Sequence, residues 1–85
     1  MKIEPEELKK ARDRLVRVQG QIGGIVKMLD EGRDCTEILN QLSAASTALT
    51  RAGFTIIATG MAQCANNESG DVERAALEKA FMSLA

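Results

Sequence analysis

Apolar residues recur every three or four positions along most of this chain, and that rhythm confines it to helices. Leu8, Ala11, Leu15, Val18, Ile22, Ile25 and Leu29 fall on one helical stripe, and Ile38, Leu42, Ala45, Leu49, Ala52 and Ile56 repeat the pattern after a break. Pro5 suits a first turn, where its missing N–H costs nothing, Glu6 and Glu7 suit the positive end of the helix dipole, and Gly32 is placed as a stop. The spacing predicts a first helix over residues 5–31. Asp34 with Glu37 three positions on has the form of a capping box and predicts a second helix from Cys35 to about Ala65. The turn formers Asn66, Asn67, Glu68, Ser69 and Gly70 end it, and Asp71 is expected to cap a short third helix offering Ala75, Leu77, Ala80, Phe81 and Leu84 for packing. No strand pattern, repeat or low-complexity tract appears.

At 85 residues the chain makes one domain, residues 1–85. Its hydrophobic content is 45%, with no Trp or Tyr and only two Phe, so its core must be aliphatic. Two long helices and one short one cannot bury so extended a stripe within a single chain. The expected fold is therefore all-α, a three-helix protomer completed as an antiparallel helical bundle by a second copy. The formal net charge of −1 and pI near 5.4 exclude a binder whose affinity for anions rests on total charge. The absence of His removes the commonest general base and transition-metal ligand. With no apolar leader ahead of the acidic start Glu4, Glu6 and Glu7, and two Cys too few for a secreted framework, a cytoplasmic home is expected. No run of about 18 apolar residues exists, so no membrane partner is expected.

Cys35 and Cys64 lie 29 positions apart on the second helix, about eight turns, which places both thiols on one face. At 1.5 Å per residue they stand roughly 43 Å apart, whereas a disulfide needs Cα atoms within about 7 Å. One chain cannot join its own pair. If the second helix packs antiparallel against its copy with Leu49 and Thr50 at the centre, Cys35 meets the partner's Cys64, and Leu42 opposes Ile57, Ala45 opposes Phe54 and Ile38 opposes Met61. The plainer reading is that both cysteines are small buried hydrophobes. Within the paired reading, Cys35 is the nucleophile, because the helix dipole and Arg33 favour its thiolate, and Cys64 is the resolving thiol.

Residues 9–17 hold Lys9, Lys10, Arg12, Arg14 and Arg17 against one acid, Asp13. Lys10, Arg14 and Arg17 share a helix face that could track phosphates, although charge runs more often mark a solvated face. Arg51 is the sole charge between Ile38 and Asn67 and either snorkels to the surface or serves an anion. Gly53 and Gly60 interrupt the second helix, and close packing of a neighbouring helix is the favoured explanation.

The segment Arg14-Leu15-Val16-Arg17-Val18-Gln19-Gly20-Gln21-Ile22, then Cys35, then Ile38-Leu39-Asn40-Gln41-Leu42-Ser43-Ala44, closely resembles the CsoR/RcnR family of bacterial repressors. The resemblance covers nearly the whole chain. It implies a flat tetramer, a dimer of antiparallel dimers, that binds operator DNA without a helix-turn-helix motif. Copper(I)-sensing members carry a Cys, His, Cys ligand set. Cys35 and Cys64 match its cysteines, Gly60 stands at the His position, Asp34 replaces a Tyr beside the first Cys, and Glu78 matches a later Glu. Both cysteines without the His are most similar to the persulfide-sensing CstR branch. The family's DNA-contacting arginines fall on Arg14 and Arg51.

These readings converge on a cytoplasmic, homotetrameric, non-enzymatic repressor. Operator contacts are expected from Arg14, Arg51, Arg17, Lys10, Lys9 and Arg12, and sensing of sulfane-sulfur molecules from an inter-subunit Cys35–Cys64 pair. No resident cofactor or metal is expected. Copper(I) on Cys35 and Cys64 is the alternative effector, and a dithiol sulfur-transfer enzyme is the remote one, lacking a general base, a cofactor loop and a Cys-x-x-Cys.

Overall fold

A computed structural model of the chain describes residues 1–65 and 70–85. A 3-10 turn (Pro5–Leu8) leads into α1 (Lys9–Asp30), followed by α2 (Cys35–Cys64) and α3 (Gly70–Leu84). The all-helical, three-helix expectation is met, with two adjustments. The stretch expected as the start of the first helix is a separate 3-10 turn, because Leu8 leaves α-helical geometry at φ −99° and ψ 5°. Asp71 lies inside the first turn of α3 and does not cap it, since the helix already begins at Gly70. Most of the turn-forming run, residues 66–69, lies outside the described residues.

Local chemistry sets the remaining boundaries. Gly32 adopts φ +66°, its N–H donates to the Leu29 carbonyl, and the Arg33 N–H donates to the Met28 carbonyl. This paired return of bonds closes α1, and the left-handed residue at its centre favours glycine. Asp34 accepts the Glu37 N–H at 3.3 Å and caps α2 as its spacing predicts.

Each apolar stripe divides into two lines. Ala11, Val18 and Ile25 of α1 are buried, as are Ala45 and Ala52 of α2, while Ile57, also buried, lies on the side of α2 that faces Phe81 and Met82 of α3. Leu15, Ile22 and Leu29 on α1 and Leu42 and Leu49 on α2 remain between 37% and 59% exposed. The helix α3 packs on α2, with the Phe54 and Phe81 rings 5.1 Å apart. A Cβ added at Gly53 would stand 2.6 Å from a Leu84 methyl, and one at Gly60 would stand 3.0 Å from a Leu77 methyl. The glycines thus admit a neighbouring helix, as the sequence led us to expect. The molecule measures 54 × 25 × 12 Å, a slab one helix thick.

Candidate nucleic-acid interface and paired thiols

The antiparallel pairing of α1 and α2 brings three arginines to one open cleft. Arg14 and Arg17 reach it from α1, and Ala44, Thr47, Ala48 and Arg51 line it from α2, enclosing about 510 Å³. The α2 residues follow the one-face helical spacing, and the small side chains ahead of Arg51 leave the volume open. Arg17 and Arg51 are exposed, whereas Arg14 is half-buried and donates from Nη1 to the Thr55 hydroxyl at 2.7 Å. The Thr55 hydroxyl donates in turn to the Arg51 carbonyl at 3.0 Å.

The rest of the basic cluster lies elsewhere. Lys9 pairs with Asp13 at 2.8 Å and holds that carboxyl below its ordinary range, chiefly through this hydrogen bond. Lys10 and Arg12 are exposed and do not line the cleft. Of the six cations expected to touch DNA, the cleft collects Arg14, Arg17 and Arg51. Thr55 and the small face of Ala44, Thr47 and Ala48 were not anticipated. The face could have been found from its helical register with Arg51. Thr55 lies 41 positions from Arg14, and only the pairing of the helices joins them.

The thiols occupy opposite ends of α2. Cys35 is exposed in the first turn, while Cys64 is buried at the last. Arg33, expected to favour the Cys35 thiolate, engages the Glu37 carboxylate. At Cys64 the start of α3 closes in, so that a Cβ on Gly70 would collide with the Cys64 carbonyl oxygen. Cys64 is therefore enclosed by its own chain.

Comparison with known proteins places this arrangement. The family described as metal-sensitive transcriptional repressors matches residues 7–84. The chain belongs to this family. Its relatives include the copper-sensing transcriptional repressor RicR of Mycobacterium tuberculosis, 35% identical over 60% of this chain and 53% of that one. The copper-sensing transcriptional repressor CsoR of Bacillus subtilis is 34% identical over 78% of this chain and 67% of its own length. The chain thus spans about half to two thirds of the curated relatives it matches. The solved nickel-responsive transcriptional regulator InrS superposes with a TM-score of 0.74 at 32% identity, covering 91% of both chains. These relatives are repressors or regulators of transcription, not enzymes, and the non-enzyme expectation rests on them.

A family described by its response to metal raises the question of a metal site here. The described residues contain no group of three or more His, Cys, Asp or Glu side chains placed to hold an ion, and the chain has no His. Cys35 and Cys64, at opposite ends of a helix about 45 Å long, do not form a chelate. One chain alone does not fit a metal ion, and any two-thiolate site needs a second copy.

Proposed function

We propose that this chain is a DNA-binding transcriptional repressor that works as a self-associated assembly and releases DNA when Cys35 of one copy is joined to Cys64 of another. The observation that carries the DNA reading is the convergence of Arg14, Arg17 and Arg51 on one open cleft in a chain of net charge −1. Phosphates are the anions such a fork of guanidinium donors grips best. Because overall charge does not assist, affinity depends on several copies of the cleft acting together and falls steeply with salt. The half-exposed leucines of α1 and α2 supply the surface through which copies associate, as dimers and then tetramers. Arg14→Ala and Arg51→Ala should each weaken duplex binding and lower the slope of log affinity against log salt by about 1 for each phosphate no longer neutralised, with unchanged circular dichroism. Unchanged affinity in both variants would remove these residues from the interface.

The effector reading rests on a donor set of two thiols and no imidazole. Exposed Cys35 attacks a terminal sulfane sulfur of a polysulfide as thiolate, becoming a persulfide while the shortened polysulfide leaves. The partner copy's Cys64 thiolate then attacks the Cys35 sulfur and displaces hydrosulfide, leaving a disulfide between two chains. One sulfane sulfur is reduced by two electrons to hydrosulfide, and two thiols are oxidised. This chemistry is that of the persulfide-sensing branch of the family.

Copper(I) is the second reading, favoured by relatives that are copper-sensing repressors. The same two thiolates are soft donors suited to it, whereas a nickel site of imidazole type has no ligand here. DNA release by polysulfide, with copper(I) bound weakly in competition with a chelator, supports the sulfur reading. Tight copper(I) binding that abolishes DNA affinity would put the metal first.

A further inference from the structure

We propose that Thr55 is a positioning residue for DNA binding, whose hydroxyl fixes the Arg14 guanidinium at the cleft; this rests on the reading of the cleft as the DNA contact. The Thr55 hydroxyl has one hydrogen, and it is committed to the Arg51 carbonyl at 3.0 Å, one turn back on α2. Its oxygen therefore faces α1 as an acceptor, and Arg14 Nη1 donates to it at 2.7 Å. One hydroxyl thus ties the guanidinium of Arg14 to the backbone turn that carries Arg51.

The consequence concerns order. A guanidinium offers five N–H donors in a rigid fork, and the Thr55 contact uses only Nη1, so the remaining edge stays available for an oxyanion. Arg14 is half-buried while Arg17 and Arg51 are exposed, so it is the arginine whose direction the protein sets before any ligand arrives. An arginine held in place beforehand loses less freedom on binding than one that must be ordered by the phosphate. Because the contact spans 41 positions of sequence, it also fixes how α1 sits along α2 at the cleft. Thr55 itself does not line the cleft, and its contribution passes through Arg14.

The test compares wild type, Thr55→Val, Thr55→Ser, Arg14→Ala and the Thr55→Val/Arg14→Ala double variant. Each is titrated against a fluorescein-labelled duplex of mixed sequence at one low salt concentration. In parallel, nitrogen-15 relaxation of the Arg14 Nε–H is recorded in the DNA-free protein. Thr55→Val keeps the branched shape and removes the acceptor, and it should weaken binding about fivefold to tenfold, the scale of one ordinary net hydrogen bond. Thr55→Ser should restore wild-type affinity, the double variant should bind no more weakly than Arg14→Ala, and the Arg14 side chain should become mobile only in Thr55→Val. Wild-type affinity in Thr55→Val beside a weakened Arg14→Ala would overturn the positioning role and leave the cleft reading standing. A Thr55→Ser variant as weak as Thr55→Val, or an Arg14 side chain equally ordered in both, would overturn it too. Wild-type affinity in Arg14→Ala would overturn this inference, and wild-type affinity in Arg51→Ala as well would end the cleft reading.

Discussion

Cys35 and Cys64 are identical in chemistry and opposite in access, one open at the start of α2 and the other enclosed at its end. Brief alkylation of the native protein should therefore modify Cys35 at least about tenfold faster than Cys64, since reagent access limits an enclosed thiol. Peptide mapping by mass spectrometry reads the ratio, and equal rates would contradict the enclosure. After polysulfide treatment, non-reducing mass spectrometry should find Cys35–Cys64 linkages between chains and none within a chain, because α2 holds the two thiols of one copy apart. Either Cys→Ala variant should abolish the linkage, and a mixture of the two should regain a single bridge in the heterodimer. The sequence disclosed much at this scale. Asp34 announced its capping bond to Glu37 by spacing alone, and Arg51 stood out as an isolated charge. Thr55 did not, because a threonine within a helix looks like any polar surface position until another helix supplies its partner.

The helices were legible as elements, but not the duties of their faces. Ala11, Val18 and Ile25 satisfy the same period as Leu15, Ile22 and Leu29, so periodicity alone cannot say which line faces the neighbouring helix and which is left outside. On α1 and α2 the buried line begins with alanine, whereas Leu15, Leu29, Leu42 and Leu49 stand outside, but Ile25 is buried and Ile22 exposed, so only the pairing of the helices separates the two lines. The glycines give a direct test of how α3 is seated. Gly53→Ala meets a Leu84 methyl, the far end of a flexible side chain that can rotate aside, and should cost at most about 1–2 kcal/mol, partly offset by the roughly 1 kcal/mol better helix propensity of Ala. Gly70→Ala meets the Cys64 carbonyl oxygen, where backbone must move, and should cost more. Urea unfolding of the two variants measures the order. The reverse order would mean that α3 begins farther from α2.

As a whole the molecule is a slab 12 Å thin with a row of leucines on its surface. Covering Leu15, Ile22, Leu29, Leu42 and Leu49, each about half-exposed, is worth about 1 kcal/mol apiece, half of what full burial of such a side chain gives. Sedimentation should accordingly find a species heavier than the 9.2 kDa protomer, and Leu42→Glu with Leu49→Glu should shift it towards the protomer and weaken DNA binding at the same time. A wild-type protein sedimenting as a protomer would remove the assembly from the proposed function. The thinness has a further consequence for how such a chain survives in solution. With so little of its apolar surface inside, each copy of the proposed assembly should act as a stabilising ligand for the next, and the unfolding midpoint should climb with protein concentration. Every tenfold dilution would withdraw about 1.4 kcal/mol per associated pair. For a molecule of this shape that folds as the proposed assembly, dilution would itself be a denaturant.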